Sequence, residues 1–167
     1  VVIDYNQSDA RAVRIGGHAV RVAAGEADAL IGGDIFVSVS TETLAKLQAG
    51  VTRAVVNCTE TPTSEFIHNP DWQFPLEKMQ RTILEATGEG RADFMDANGL
   101  ATTLMGDAIF GNLILLGHAW QQGLVPVSLA AVQRAIELNG VAVEANLKAF
   151  LWGRRAAHDR AAVERFA

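Results

Sequence analysis

Cysteine is almost absent from this chain of 167 residues: Cys58 is the only one. One thiol builds no disulfide framework and no cysteine-rich metal or iron–sulfur site. Nothing basic precedes Cys58 to lower its pKa, so it reads as an inert thiol. Cations are also scarce, with 14 Lys and Arg against 19 Asp and Glu and a net charge of −5. Nucleic acid needs a basic face and is excluded as the main partner. The glycines form no Walker-type loop, no dinucleotide fingerprint and no nucleophile elbow; Gly16-Gly17 and Gly32-Gly33 are isolated pairs. His18, His68, His118 and His158 stand too far apart for metal-ligand spacing. No apolar run reaches the roughly 20 residues of a membrane span, and no secretory leader is visible, so the expected setting is cytoplasmic. Asp107 and Glu144 are single carboxylates, read as helix-end or surface charges. No catalytic residue is expected.

What is abundant is apolar side chain, at 49% of residues against 20% charged. It concentrates in Gly106–Gly123, GDAIFGNLILLGHAWQQG, where Asn112 and His118 are the polar interruptions. A helix apolar all round has no solvent face. It is either the central helix of a domain or a helix buried between this chain and a partner. Gly111 and Gly117 each cost about 1 kcal/mol of helix propensity and let another backbone approach. Gly111, Asn112 and His118 are therefore the candidate interface residues, with His118 more simply a core histidine than a catalyst.

Upstream, Val1–Tyr5 reads as a buried strand, and Ala12–Ile15 with Ala19–Val22 as a hairpin across Gly16-Gly17. Gly25–Ile31 reads as a short helix and Asp34–Val39 as a strand. Ser40 or Thr41 caps a short helix through Leu44 and Leu47, and Arg53–Asn57 is a strand apolar on both faces. Pro75–Ala86 is an amphipathic helix, and Arg91–Ala97 a last strand followed by a turn at Asn98-Gly99-Leu100. Beyond Gly123 the chain is helical, with Ser128 as a cap and Asn139-Gly140 as a stop, then Val143 to Leu151 at helical spacing. The tail from His158 to Arg165 frays or docks elsewhere. The fold class is α/β: a Rossmann-like parallel sheet flanked by helices, with a helical C-terminal part, in one domain spanning 1–167.

Open α/β sheets bind ligands at the carboxyl ends of their strands. Asn57, Thr59, Thr61 and Thr63 follow one such end, and Asn98 follows another. Asn57, Thr59, Thr61 and Asn98 are thus candidate cofactor-binding residues; the plainer alternative is turn capping by the same side chains. Glu60, Glu65 and Asp71 disfavour a phosphate ligand there.

The segments AVRVAAGEADALIGGDIFV, TRAVVNCTETPTSEF, DANGLATTLMGDAIFGNLILLGHAWQQGLVPVS and AIELNGVAVEANLKAFLWGR, in this order, cover most of Ala19 to Arg155. They resemble the γ-type domain of 2-oxo acid (pyruvate/ketoisovalerate family):ferredoxin oxidoreductases, most of all the version in fused indolepyruvate ferredoxin oxidoreductases. The resemblance implies an enzyme that oxidatively decarboxylates an aryl 2-oxo acid such as indolepyruvate to an acyl-CoA. It uses thiamine diphosphate, iron–sulfur clusters and coenzyme A, and reduces ferredoxin. Relatives open this domain with a strand and a GGxG turn, which Val1–Asp34 does not supply in that context; the chain is expected to begin after them. It should bind no cofactor alone, catalyse nothing alone, and pack on the other domains or subunits of the oxidoreductase, helping to enclose cofactor or coenzyme A. An exposed apolar patch would also allow a homo-oligomer. The rival readings are a stand-alone nucleotide-binding domain and a ligand-free assembly module.

Overall fold

The computed structural model describes residues 27–59 and 75–166, and the backbone of three short strands before them. Four strands form one parallel sheet: β1 (Val2–Asp4), β4 (Ala29–Gly32), β5 (Arg53–Asn57) and β6 (Ala92–Met95), side by side in that order. Strands β2 (Val13–Ile15) and β3 (His18–Val20) pair antiparallel as the expected hairpin, with Ile15 opposite His18.

Two elements exchange their expected types. Ala29–Gly32 is a strand, not part of a helix, and Ile35–Ser38 is a helix, α1, not a strand. All four residues of β4 are buried between two helical layers, so their continuous apolar run is that of an inner parallel strand. The side chain of Asp34 accepts hydrogen bonds from the N–H groups of Phe36 and Val37 and starts α1 against the β-propensity of Ile35, Phe36 and Val37. Gly32 is not a helix stop. A Cβ there would lie 2.2 Å from Ser38 Oγ, so the missing side chain lets α1 fold back on the strand.

Helix α2 (Thr41–Leu44) is capped by Ser40, as expected, and α3 (Leu76–Thr87) is the amphipathic helix. The last strand stops at Met95, because Asp96 caps α4 (Ala97–Met105) through Gly99 N–H. Asn98 therefore stands in the first turn of a helix rather than in a turn beyond a strand. A 3-10 turn (Ala108–Phe110), capped by Asp107, leads into the apolar helix α5 (Gly111–Gln121). Then come α6 (Leu129–Asn139), capped by Ser128, and α7 (Val143–His158). The charged tail forms α8 (Arg160–Glu164), which docks on this chain through the buried Val163.

The period of two along the strands divides the core. Leu30, Ala54 and Val56 pack with Ile35, Leu47 and Ile83 on one side of the sheet. Ala29, Ile31, Val55 and Met95 pack with Leu100, Ile114, Leu115 and Val163 on the other. Helix α5 is thus the centre of a helical layer of its own chain. It crosses α7 with backbone touching backbone: a Cβ on Gly117 would meet Phe150 O at 2.1 Å, and one on Gly153 would meet Ile114 O at 1.9 Å. The close approach expected of Gly117 is made, and Gly153 is its counterpart. Among the described residues, no helix is long and apolar enough to cross a membrane.

Candidate functional site

A cleft of about 270 Å³ opens at the carboxyl ends of β4 and β5 and the start of α4. Gly33 and Asp34 line it from β4, Asn57 and Thr59 from β5, Asn98 from α4 and Asn112 from α5. Ala108 and Ile109 add an apolar wall. Three of the candidate ligand residues and one candidate interface residue therefore meet in one place. Thr61 and Thr63 lie outside the described residues.

The asparagines are not equivalent. Asn57 is 4% exposed and its amide is spent on the chain itself. Its Nδ2 donates to Gly33 O at 3.2 Å, and its Oδ1 accepts from Ala97 N–H at 2.9 Å and lies 2.8 Å from the Thr59 hydroxyl. One side chain thus ties the end of β4 to the start of α4. The Thr59 hydroxyl also reaches Asp96 Oδ1 and accepts weakly from Asn98 N–H at 3.4 Å. Asn98 and Asn112 differ: among the described residues neither side-chain amide has a hydrogen-bond partner, and Asn112 is exposed. Gly111 makes room for Asn98, since a Cβ there would meet Asn98 Oδ1 at 2.1 Å.

A helix N-terminus ordinarily attracts anions because its first N–H groups are unpaired. Here those groups are occupied. Asn57 takes Ala97 N–H, Thr59 takes Asn98 N–H and Asp96 takes Gly99 N–H at 2.8 Å. Asp34 does the same for α1, at 2.7 Å to Phe36 N. Among the described residues no lysine or arginine lines the cleft, and Asp34 and Asp96 bring negative charge to it. These residues do not fit a diphosphate, whether of a nucleotide or of thiamine. What they offer is neutral hydrogen bonding beside an apolar wall.

The second polar centre is half-buried on the α5 side of the sheet. His118 is 1% exposed and its Nε2 donates to Asp93 Oδ2 at 2.6 Å. Gln122 Nε2 donates to the same oxygen at 2.8 Å, and Arg160 holds the other one at 2.7 Å. Burial opposes ionisation of Asp93, but the hydrogen bonds and charges of His118 and Arg160 outweigh it and hold the carboxyl well below the usual carboxylate range. His118 Nδ1 is buried without a partner. Seven residues separate His118 from Gly111, about 10 Å along the helix, so it stands apart from the cleft. Gly111 and His118 are both buried against this chain's own side chains. Among the described residues, no group of three or more His, Cys, Asp or Glu could hold a metal ion.

Sequence reasoning missed Asp34, Asp96, Asp93 and Arg160. An aspartate directly before an apolar run is an N-cap signal, which would have found the first two. Nothing local marks the Asp93–Arg160 pair, which spans 67 positions.

No curated protein and no solved structure matches the chain. The family model of pyruvate ferredoxin/flavodoxin oxidoreductases matches residues 10–156, most of the chain, from before β2 into the last turn of α7. The oxidoreductase resemblance carried by the four sequence segments is thereby placed at the level of its family. This chain belongs to the pyruvate ferredoxin/flavodoxin oxidoreductase family.

Proposed function

We propose that the chain is a γ-type domain of a 2-oxo acid:ferredoxin oxidoreductase that converts an aryl 2-oxo acid, such as indolepyruvate, to its acyl-CoA. On this reading thiamine diphosphate and the iron–sulfur clusters are held by other domains, where they supply the decarboxylation and carry the electrons to ferredoxin. The cleft takes the pantetheine arm of coenzyme A. One observation carries this choice: the free amides of Asn98 and Asn112 face a cleft that has no lysine or arginine among its described lining residues and whose helix N-termini are already capped. A pantetheine arm is neutral and carries two amide groups, each able to pair with an asparagine side chain, joined by alkyl segments that suit Ile109. The volume of about 270 Å³ lies just below the usual range for ligand pockets, which suits a linear arm better than a nucleotide.

The test is calorimetric titration of the chain with coenzyme A, pantetheine and thiamine diphosphate, repeated with Asn98→Ala and Asn112→Ala. In place of the expectation that the chain alone binds no cofactor, pantetheine should bind within about tenfold of coenzyme A, thiamine diphosphate should not bind, and either variant should weaken the pantetheine signal by about tenfold. Binding of thiamine diphosphate in place of pantetheine would move this domain's role to the cofactor. A folded chain that binds none of the three acts as an assembly module.

A further inference from the structure

A second concavity, of about 410 Å³, lies at the other end of α5, between α7 and α8. Gln121, Leu151, Arg154, Arg155, His158 and Asp159 line it. The three basic residues stand together in a chain whose net charge is −5. Among the described residues no carboxylate forms an ion pair with any of them. Asp159, the acid among them, accepts a hydrogen bond from Ala162 N–H at 2.9 Å as the cap of α8.

Helix-end electrostatics accounts for part of this. Arg155 and His158 lie in the last turn of α7, where a cation is favourable. It does not account for the way the guanidinium groups are held. Arg154 lies 4.8 Å over the Trp120 ring, and its Nε donates to Gln121 Oε1 at 2.9 Å. Arg155 lies 5.2 Å from the Trp152 ring and 5.9 Å from that of Phe166. A guanidinium stacked on a ring is fixed in orientation and keeps its N–H edge free for a planar carboxylate. Apolar surface flanks the pair, with Leu151 52% and Phe166 65% exposed. Arginines held on aromatic rings beside an apolar rim, with Asp159 engaged as a helix cap and not ion-paired to them, are the composition of protein-binding hot spots.

We propose that this concavity docks an acidic segment of another polypeptide, with its carboxylates on Arg154 and Arg155 and an apolar side chain against Leu151 and Phe166. The family is one of multi-domain enzymes, so such a segment would belong to another domain or subunit of the same oxidoreductase. A long polyanion such as nucleic acid fits less well, because the negative charge of the rest of the chain repels it.

The probe is an acetylated pentapeptide of four glutamates around a central leucine, added to the isotopically labelled 167-residue chain and followed through the Trp152 indole and Arg155 Nε resonances. The counterpart peptide has glutamine at all four positions. Saturable shifts with the acidic peptide, at least about tenfold weaker with the glutamine peptide, are expected. In Arg155→Gln, checked to be folded, the Trp152 indole should no longer shift on addition of the acidic peptide. The signal should also weaken with added salt, as exposed charge pairs do. Equal response to both peptides, no response from a folded chain, or shifts that persist in Arg155→Gln would overturn the proposal. So would sedimentation showing that a second copy of the chain occupies these residues, or an oligonucleotide binding them more tightly than the acidic peptide.

Discussion

Asp93 on β6 and His118 on α5 are joined by a 2.6 Å hydrogen bond, and Arg160 of α8 closes on the same carboxylate from the other side. One charged group thereby links the sheet, the apolar helix and the C-terminal helix. Its depressed pKa fixes the sign of the pH dependence. A carboxyl with a lowered folded-state pKa contributes stability that is fully present above the unfolded value near 3.9. That stability is lost as the pH falls below this value toward the folded one. Asp93→Asn is expected to cost about 1.5–3 kcal/mol at pH 7, the usual range for a hydrogen bond to a charged group. Urea midpoints for both proteins should converge as the pH is lowered from 5 to 2. A gap that stays constant over that range would rule out the carboxylate as its source.

The crossing of α5 and α7 makes a second prediction with two opposed terms. Gly117→Ala and Gly153→Ala each gain about 1 kcal/mol of helix propensity. Each also drives a methyl group into a backbone carbonyl, at 2.1 Å from Phe150 O and 1.9 Å from Ile114 O. Backbone yields poorly, and such overpacking costs about 1–3 kcal/mol or more. At contacts this short the cost falls at the upper end of that range, so a net destabilisation of about 2 kcal/mol is expected, read as a lower denaturation midpoint. A neutral or stabilising result would mean that the two helices can slide apart.

The cleft asparagines should separate by their effect on stability. Asn57→Ala removes the acceptor of Ala97 N–H and leaves that buried donor unpaired, at about 1–3 kcal/mol. Asn112→Ala removes an exposed side chain without a partner and should change stability by less than about 0.5 kcal/mol. Thermal melts of the two variants decide this. Equal losses would show that Asn112 is also structural and unfit as a ligand probe.

Ala142 is the single non-glycine residue with positive φ among the described residues, at 43°. The left-handed region costs an alanine about 1–2 kcal/mol relative to the right-handed one, while glycine enters it freely. Greater flexibility of the unfolded chain offsets part of the gain. Ala142→Gly should therefore stabilise the protein, by up to about 1 kcal/mol, with an unchanged denaturant slope.

These residues also show what a sequence makes legible. The parallel sheet, the apolar helix, the caps at Ser40 and Ser128 and the place of the cleft follow from local pattern. Asp34–Val39 does not. Its β-branched and aromatic residues favour a strand, and a capping aspartate in the crossover between two parallel strands makes it a helix. The polar site divides in the same way. Asn57 and Asn98 are visible as polar residues near strand ends. Which of them is locked and which is free depends on Gly33, Ala97 and Gly111, contacts that no spacing rule encodes. The tail from His158 looks solvated because its anchor, Asp93, lies 67 positions upstream of Arg160.

The self-capped helix starts around the cleft have a consequence for time as well as affinity. With their N–H groups turned inward and no lysine or arginine among the described lining residues, they add no attractive field for an anion. A molecule reaches this end of the protein by undirected encounter, at a rate set by diffusion and the narrowness of the target rather than by its charge. Discrimination among visitors then rests on how long each one stays.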